Sequence, residues 1–270
     1  MFEILLPGVI LAGFALISAS GLFVASKKFY VYEDPRIDQV EALLPGANCG
    51  GCGLAGCRSL AEHMVNQKTV EPPCPVAEAA IMQQIAELLG LEASVQEKQV
   101  ATLLCNGTHE NTRDALEYHG IHDCWAAMVV TDSIKDCAFS CLGLGSCVAV
   151  CNFGAMRIEN GIVVIDEEKC TGCGICIAHC PKNLLLLRPV SAQTVVVCSN
   201  TDRGPEARKV CKTACIGCMK CQKVCQHQAI FVQNFLARID YEKCTNCGDC
   251  VEACPTNAIE MRGQEVYVTA

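Results

Sequence analysis

The chain has 270 residues, of which 24 are cysteine, with one tryptophan and a formal net charge of −8. So many cysteines with so few aromatic residues leave a conventional packed core thin at this length, and the acidic balance excludes nucleic acid as the main partner. A mean hydropathy of +0.28 is high for a soluble chain and points to a membrane segment.

Residues 4–26 contain no charged side chain. At 1.5 Å per residue a helix of that length matches the roughly 30 Å hydrocarbon core of a bilayer. Pro7 falls near the start, where a helix tolerates it. A cleaved signal peptide would have a basic leader and a shorter apolar run, whereas the only charge before this one is Glu3. Residues 1–28 are therefore expected to be a transmembrane anchor. Lys27 and Lys28 follow the apolar run directly, so the positive-inside rule puts the remaining chain in the cytoplasm, single-pass at the cell (inner) membrane. That reducing compartment also preserves thiols. Residues 29–42 read as a polar connector, broken at Asp34-Pro35.

Residues 43–90 hold Cys49, Cys52, Cys57 and Cys74, a C-x2-C-x4-C-x16-C spacing. The glycines Gly51, Gly53 and Gly56 match a dinucleotide fingerprint formally. Leu44-Pro45-Gly46 precedes them where that fingerprint needs a strand, so the reading is rejected. Glycines here instead let backbone N–H groups approach cluster sulfur closely, one of the levers on cluster potential. The four cysteines read as one 4Fe–4S site, followed by a helix from near Arg58 and another over 78–89. Residues 91–134 read as a connecting region with isolated Cys105 and Cys124, which are small buried hydrophobes on the plainest reading.

From Cys124 onward the chain repeats with a period of 74 residues. Cys124, Cys137, Cys141, Cys147, Cys151, Cys170, Cys173, Cys176 and Cys180 map onto Cys198, Cys211, Cys215, Cys221, Cys225, Cys244, Cys247, Cys250 and Cys254. Each repeat (135–190 and 191–270) ends on C-x2-C-x2-C-x3-C-P, at Cys170–Pro181 and Cys244–Pro255. This is the run of two-cluster ferredoxins, in which the fourth cysteine serves the neighbouring cluster. A structural zinc site is closed by four ligands, usually two pairs set well apart, and a disulfide framework implies secretion. Four cysteines in so short a run, twice, suit a cubane better. The earlier motif of the second repeat is regular at Cys215, Cys218, Cys221 and Cys225. In the first repeat Leu144 replaces the middle cysteine, and Cys137 is the expected substitute. Crossed ligation then gives Cys137, Cys141, Cys147 with Cys180; Cys170, Cys173, Cys176 with Cys151; Cys215, Cys218, Cys221 with Cys254; and Cys244, Cys247, Cys250 with Cys225. β-prone pieces flank the motifs at 155–159, 162–165, 229–233 and 236–239.

Five 4Fe–4S clusters account for all but Cys105, Cys124, Cys198 and Cys211. Those four suffice for a sixth cluster between the repeats. The alternatives are four structural thiols, or a different sharing in which Cys137 belongs to the extra site. The expected fold is α+β: one transmembrane helix, a small four-cysteine iron–sulfur module and two tandem ferredoxin-like domains. No P-loop, flavin motif or acid–base constellation appears. The basic residues Arg203, Arg208, Lys209, Lys212, Lys220 and Lys223, set against Asp202 and Glu206, are either a solvated face or a surface steering an acidic electron donor.

The anchor, the Cys49/Cys52/Cys57/Cys74 module, the ferredoxin motifs and the run Cys137-Ala-Phe-Ser-Cys141-Leu-Gly-Leu-Gly-Ser-Cys147 resemble the B subunit of Rnf complexes. Those are membrane-bound, ion-translocating ferredoxin:NAD oxidoreductases. The resemblance covers essentially the whole chain, and the duplicated part fits the longer forms of that protein. It implies an electron-relay subunit of a translocase-type oxidoreductase, with reduced ferredoxin as donor and other Rnf-type membrane and flavin subunits as partners. It also implies coupling to Na⁺ or H⁺ movement. The rival readings are a relay subunit of a membrane hydrogenase or dehydrogenase, and a zinc-stabilised membrane scaffold.

Overall fold

The computed structural model describes residues 2–29, 33–92 and 97–262, with side chains from Leu11 onward. Parts of the expected connector, of the connecting region and of the C-terminal end of the second repeat, and the side chains at the start of the expected span, therefore lie outside the described residues.

The uncharged N-terminal run forms one helix, α1 (Phe2–Lys28), ending on its two lysines. It is long and apolar enough to cross a membrane, and none of the stretch Leu11–Lys28 is buried against the rest of the chain. The connector expected at 29–42 is in good part a second helix, α2 (Arg36–Leu43). Pro35 supplies a helical φ of −60° just before it, and Ile37 and Val40 give α2 one apolar face. That face packs on α3 (Cys57–Gln67) and α4 (Ala79–Leu89), whose buried Leu60, Ala61, Met64, Met82, Ile85 and Ala86 recur at three and four. Arg58 of α3 draws in Glu33, Asp38, Glu41 and Glu62. This helical module thus reaches back to the residues before α2.

The connecting region also contains more than linkage. Its strand β1 (Gln99–Leu103) leads to α5 (Cys124–Val130), α6 (Ser146–Ala149), the hairpin β2 (Met156–Glu159) and β3 (Ile162–Ile165), α7 (Ile175–Ala178) and β4 (Leu185–Pro189). β1 pairs antiparallel with β4, so the first ferredoxin-like unit, expected to begin at 135, takes its first strand from the connecting region. The second unit repeats this order: β5 (Thr194–Val196), α8 (Gly204–Val210), α9 (Lys220–Val224), the hairpin β6 (Ile230–Gln233) and β7 (Leu236–Ile239), α10 (Asp249–Glu252) and β8 (Ile259–Met261), with β5 against β8. Both hairpins fall on the β-prone pieces of the sequence. Each unit has its own core, lined by its cysteines together with the apolar faces of its strands.

Strand register corrects the internal repeat. Leu103 faces Leu185, and Val196 faces Ile259. Leu185 and Ile259 lie 74 residues apart, but Leu103 and Val196 lie 93 apart, so the first unit carries 19 extra residues after β1. The counterpart of Cys198 is therefore Cys105, not Cys124. Hydrogen bonding agrees: Cys105 Sγ accepts from the N–H groups of Gly107 and Cys141, and Cys198 Sγ from those of Asn200 and Cys215. Cys124 lies in the insertion, on α5.

Candidate metal centres

All 24 cysteines are unbridged. Among the described residues no three His, Cys, Asp or Glu side chains converge closely enough for one metal ion. A zinc site needs such convergence. A cube of four irons and four sulfides is larger and takes its four thiolates from farther apart. Three cavities are each lined by four cysteines on that wider scale.

In the helical module, Cys57 opens α3, and Cys52 and Cys74 pack in the same core. The Cys74 thiol is pushed up by burial, with Cys57 and Cys49 adding to the effect. In the first ferredoxin-like unit, burial pushes Cys176 up to about 12, and Cys173, Cys170 and Cys151 crowd it further. Cys49, Cys52, Cys57 and Cys74 thus lie near one another, as do Cys151, Cys170, Cys173 and Cys176.

The third set departs from expectation. Cys124, Cys141, Cys147 and Cys180 line one cavity, with Leu142 and Leu184. Burial pushes Cys147 up to about 12, and Cys141, Cys124 and Cys180 act on it. Cys124 thus stands where Cys137 was expected, filling in for the cysteine that Leu144 replaces. The sequence builds this locally. Asp123 caps α5 by accepting from the Ala126 N–H at 2.9 Å and from the Ser146 hydroxyl at 2.7 Å. Ser146 Oγ in turn accepts from the Cys124 N–H at 2.7 Å, which draws Cys124 to the residue beside Cys147. Trp125 donates its indole N–H to the His179 carbonyl and fastens α5 over Cys180.

Cys137 instead joins Cys105, Cys198 and Cys211 around a cavity between the two units. Each unit contributes a pair, Cys105 with Cys137 and Cys198 with Cys211, related by the internal repeat. Backbone and side-chain bonds close this seam: Thr112 Oγ1 donates to the Val210 carbonyl, the Lys212 N–H to the Asn111 carbonyl, and Ser199 Oγ to the Leu104 carbonyl. Asn200, 1 % exposed, directs its amide N–H toward Cys137 Sγ at 3.6 Å.

In the second unit Cys215, Cys218, Cys221 and Cys254 line one cavity. Burial pushes Cys250 up to about 12, with Cys244, Cys221 and Cys247 acting on it. Cys225, the counterpart of Cys151, packs on the same core. Cys218 and Cys247 are exposed.

Neighbouring groups of cysteines also act on one another. Cys49 acts on Cys173, and Cys176 on Cys147. The Cys141 N–H donates to Cys105 Sγ, and the Cys215 N–H to Cys198 Sγ. Cys221 acts on Cys250. The contact between the helical module and the first unit depends on Gly51, where a Cβ would lie 2.6 Å from the Cys173 carbonyl oxygen. The six basic residues noted in the sequence are all exposed on the second unit.

Three family profiles match: "4Fe-4S dicluster domain" over residues 214–258, "Putative Fe-S cluster" over 44–76 and "4Fe-4S binding domain" over 163–185. The chain is 48% identical over 257 residues to the B subunit of the Na(+)-translocating ferredoxin:NAD(+) oxidoreductase complex of Acetobacterium woodii, covering 95% of this chain and 77% of that one. It is 44% identical to the B subunit of the ion-translocating oxidoreductase complex of Methanosarcina acetivorans, covering 94% and 96%. It is 40% identical to the B subunit of the proton-translocating ferredoxin:NAD(+) oxidoreductase complex of Clostridium ljungdahlii, covering 93% and 90%. The chain belongs to the B-subunit family of Rnf-type ion-translocating oxidoreductase complexes, as a 4Fe–4S electron-transfer protein with one helix long enough to anchor it in a membrane.

Proposed function

We propose that this subunit carries six 4Fe–4S clusters in series and takes single electrons from reduced ferredoxin toward the membrane partners of its complex. The observation that carries this reading is the series of interactions that links neighbouring groups of cysteines from Cys49 to Cys250. The clusters supply one-electron chemistry when bound. The chain supplies their order, burial and hydrogen bonds. The sets are Cys49, Cys52, Cys57 and Cys74; Cys151, Cys170, Cys173 and Cys176; Cys124, Cys141, Cys147 and Cys180; Cys105, Cys137, Cys198 and Cys211; Cys215, Cys218, Cys221 and Cys254; and Cys225, Cys244, Cys247 and Cys250.

Direction follows from the two ends of the row. The helical module follows α1 in sequence and therefore lies on the membrane side, with the bulk of the chain in the cytoplasm by the charge of Lys27 and Lys28. At the other end the exposed Cys218 and Cys247 accompany the basic Lys220 and Lys223 on α9. A positive surface beside exposed thiolates suits an acidic electron carrier and steers its approach. The units are a membrane anchor, a helical iron–sulfur module from before α2 to α4, and two ferredoxin-like domains beginning at β1 and β5.

Replacing Lys220 and Lys223 with Glu tests the donor end. The apparent KM for ferredoxin should rise about tenfold or more and lose its salt dependence. Unchanged kinetics would remove the donor reading. Iron and acid-labile sulfide of about 24 each per chain are expected with four of each per cluster, and about 20 would remove the centre between the units.

A further inference from the structure

Lys135 is 3 % exposed, a rare place for an ammonium group. Its Nζ donates to the Gly107 carbonyl at 2.7 Å and to the Gly161 carbonyl at 2.6 Å. Among the described residues it forms no ion pair. The nearest acidic neighbours in sequence are engaged elsewhere: Asp114, bridged to Lys135 through the backbone, pairs with His109, and Asp136 pairs with Arg113. Two carbonyls satisfy hydrogen-bonding needs but do not balance a buried charge. A counter-charge is therefore required nearby.

The surroundings supply it. Gly107, whose carbonyl Lys135 holds, gives its N–H to Cys105 Sγ at 3.3 Å. Gly161, the other partner, lies against Gly143 in the loop that follows Cys141. The charge of Lys135 acts on both the Cys105 and the Cys141 thiols. Cys105 belongs to the set between the units and Cys141 to the neighbouring set of the first unit. Lys135 thus stands at the junction of two sets, where thiolates bound to iron would provide the missing negative charge. Its counterpart in the second unit, at the 74-residue spacing, is Lys209, which is exposed on α8 and screened by water.

We propose that Lys135 is a positioning residue for electrons: its buried charge raises the reduction potentials of the two centres it adjoins and makes the first unit the electron-accepting half of the duplicated chain. A fixed positive charge in a low-dielectric site favours the more negative, reduced form of a centre, and water around Lys209 removes the same effect from the second unit. This rests on the ligand sets proposed above. It adds that two near-equal ferredoxin-like units are made unequal by one side chain, which biases the row in one direction.

The test is an EPR-monitored redox titration of the intact complex, reading potentials rather than turnover. Lys135→Met should lower the midpoints of two centres and leave the other four in place, at unchanged iron content. Lys135→Arg should keep the wild-type midpoints, and Lys209→Met should shift none. Lys135→Gln is read in the same way should the methionine variant load poorly. Unmoved midpoints in the neutral variants, or an equal shift of all centres, would overturn the proposal. So would loss of iron from both neutral variants but not from Lys135→Arg, which is the signature of a structural clamp. An unaltered chain with only about 20 irons would fail the six-centre assignment instead, and the same variants would then decide the role of Lys135 on the Cys141 centre alone.

Discussion

At the scale of single residues, Cys124 and Leu144 form one exchange. The regular motif of the second unit has Cys218 at the position that Leu144 holds in the first, and in the first unit Cys124 comes from an inserted helix to the cavity that Cys141, Cys147 and Cys180 line, as Cys218 does beside Cys215, Cys221 and Cys254. Cys124→Ser is expected to remove about four of the roughly 24 irons, the content of one cluster. Adding Leu144→Cys should restore them, because the spacing becomes regular again. Iron analysis of the two variants checks this, and full loading of the single variant would break the assignment. The thiols also set a pH dependence. Burial raises Cys147, Cys176, Cys198 and Cys250 from 9.0 to about 12 in the iron-free fold. Between those values the folded chain holds protons that the unfolded chain has lost, so this contribution to stability is present below about pH 9 and fades toward pH 12. Iron-free protein should melt at a lower temperature at about pH 10.5 than at about pH 8. The loaded protein should change less, since its thiols have already exchanged protons for iron.

At the scale of elements, the close seat of the helical module on the first unit is set by Gly51, which has no side chain to meet the Cys173 carbonyl. Gly51→Val must push the two apart or distort the loop that holds Cys173, because the obstructing atom is backbone. The expected outcome is full iron content with slower reduction of the Cys49 set, measured by stopped-flow absorbance. Unchanged rates would show that the contact does not govern transfer. The same elements show what can be read from sequence. The regular motifs, both hairpins and α3 and α4 are legible, because cysteine spacing and apolar periodicity are local signals. β1 and β5 are not: each is short, and each finds its partner more than sixty residues later in β4 or β8. α2 is hidden by the turn signal at Asp34-Pro35, which here begins a helix instead of breaking the chain. The true counterpart of Cys198 is masked because Cys124 falls by coincidence on the 74-residue spacing, and only strand register exposes the insertion.

At the scale of the whole molecule, Cys105, Cys137, Cys198 and Cys211 line a cavity between the two ferredoxin-like halves, the place where the proposed row crosses from one to the other. Its four thiols come two from each half. Cys198→Ser should cost about four irons and leave reduced ferredoxin able to bleach only the part of the iron–sulfur absorbance that belongs to the second unit. Rapid bleaching of the whole remaining absorbance would show a second path. The proposed row has no branch and so no detour: damage to any one member would divide it into two stranded reservoirs, whatever the condition of the rest. Exposure concentrates at the far end, at Cys218 and Cys247. Oxygen should therefore attack there first, which on the proposed direction of flow silences the protein at its intake while the inner members are still intact.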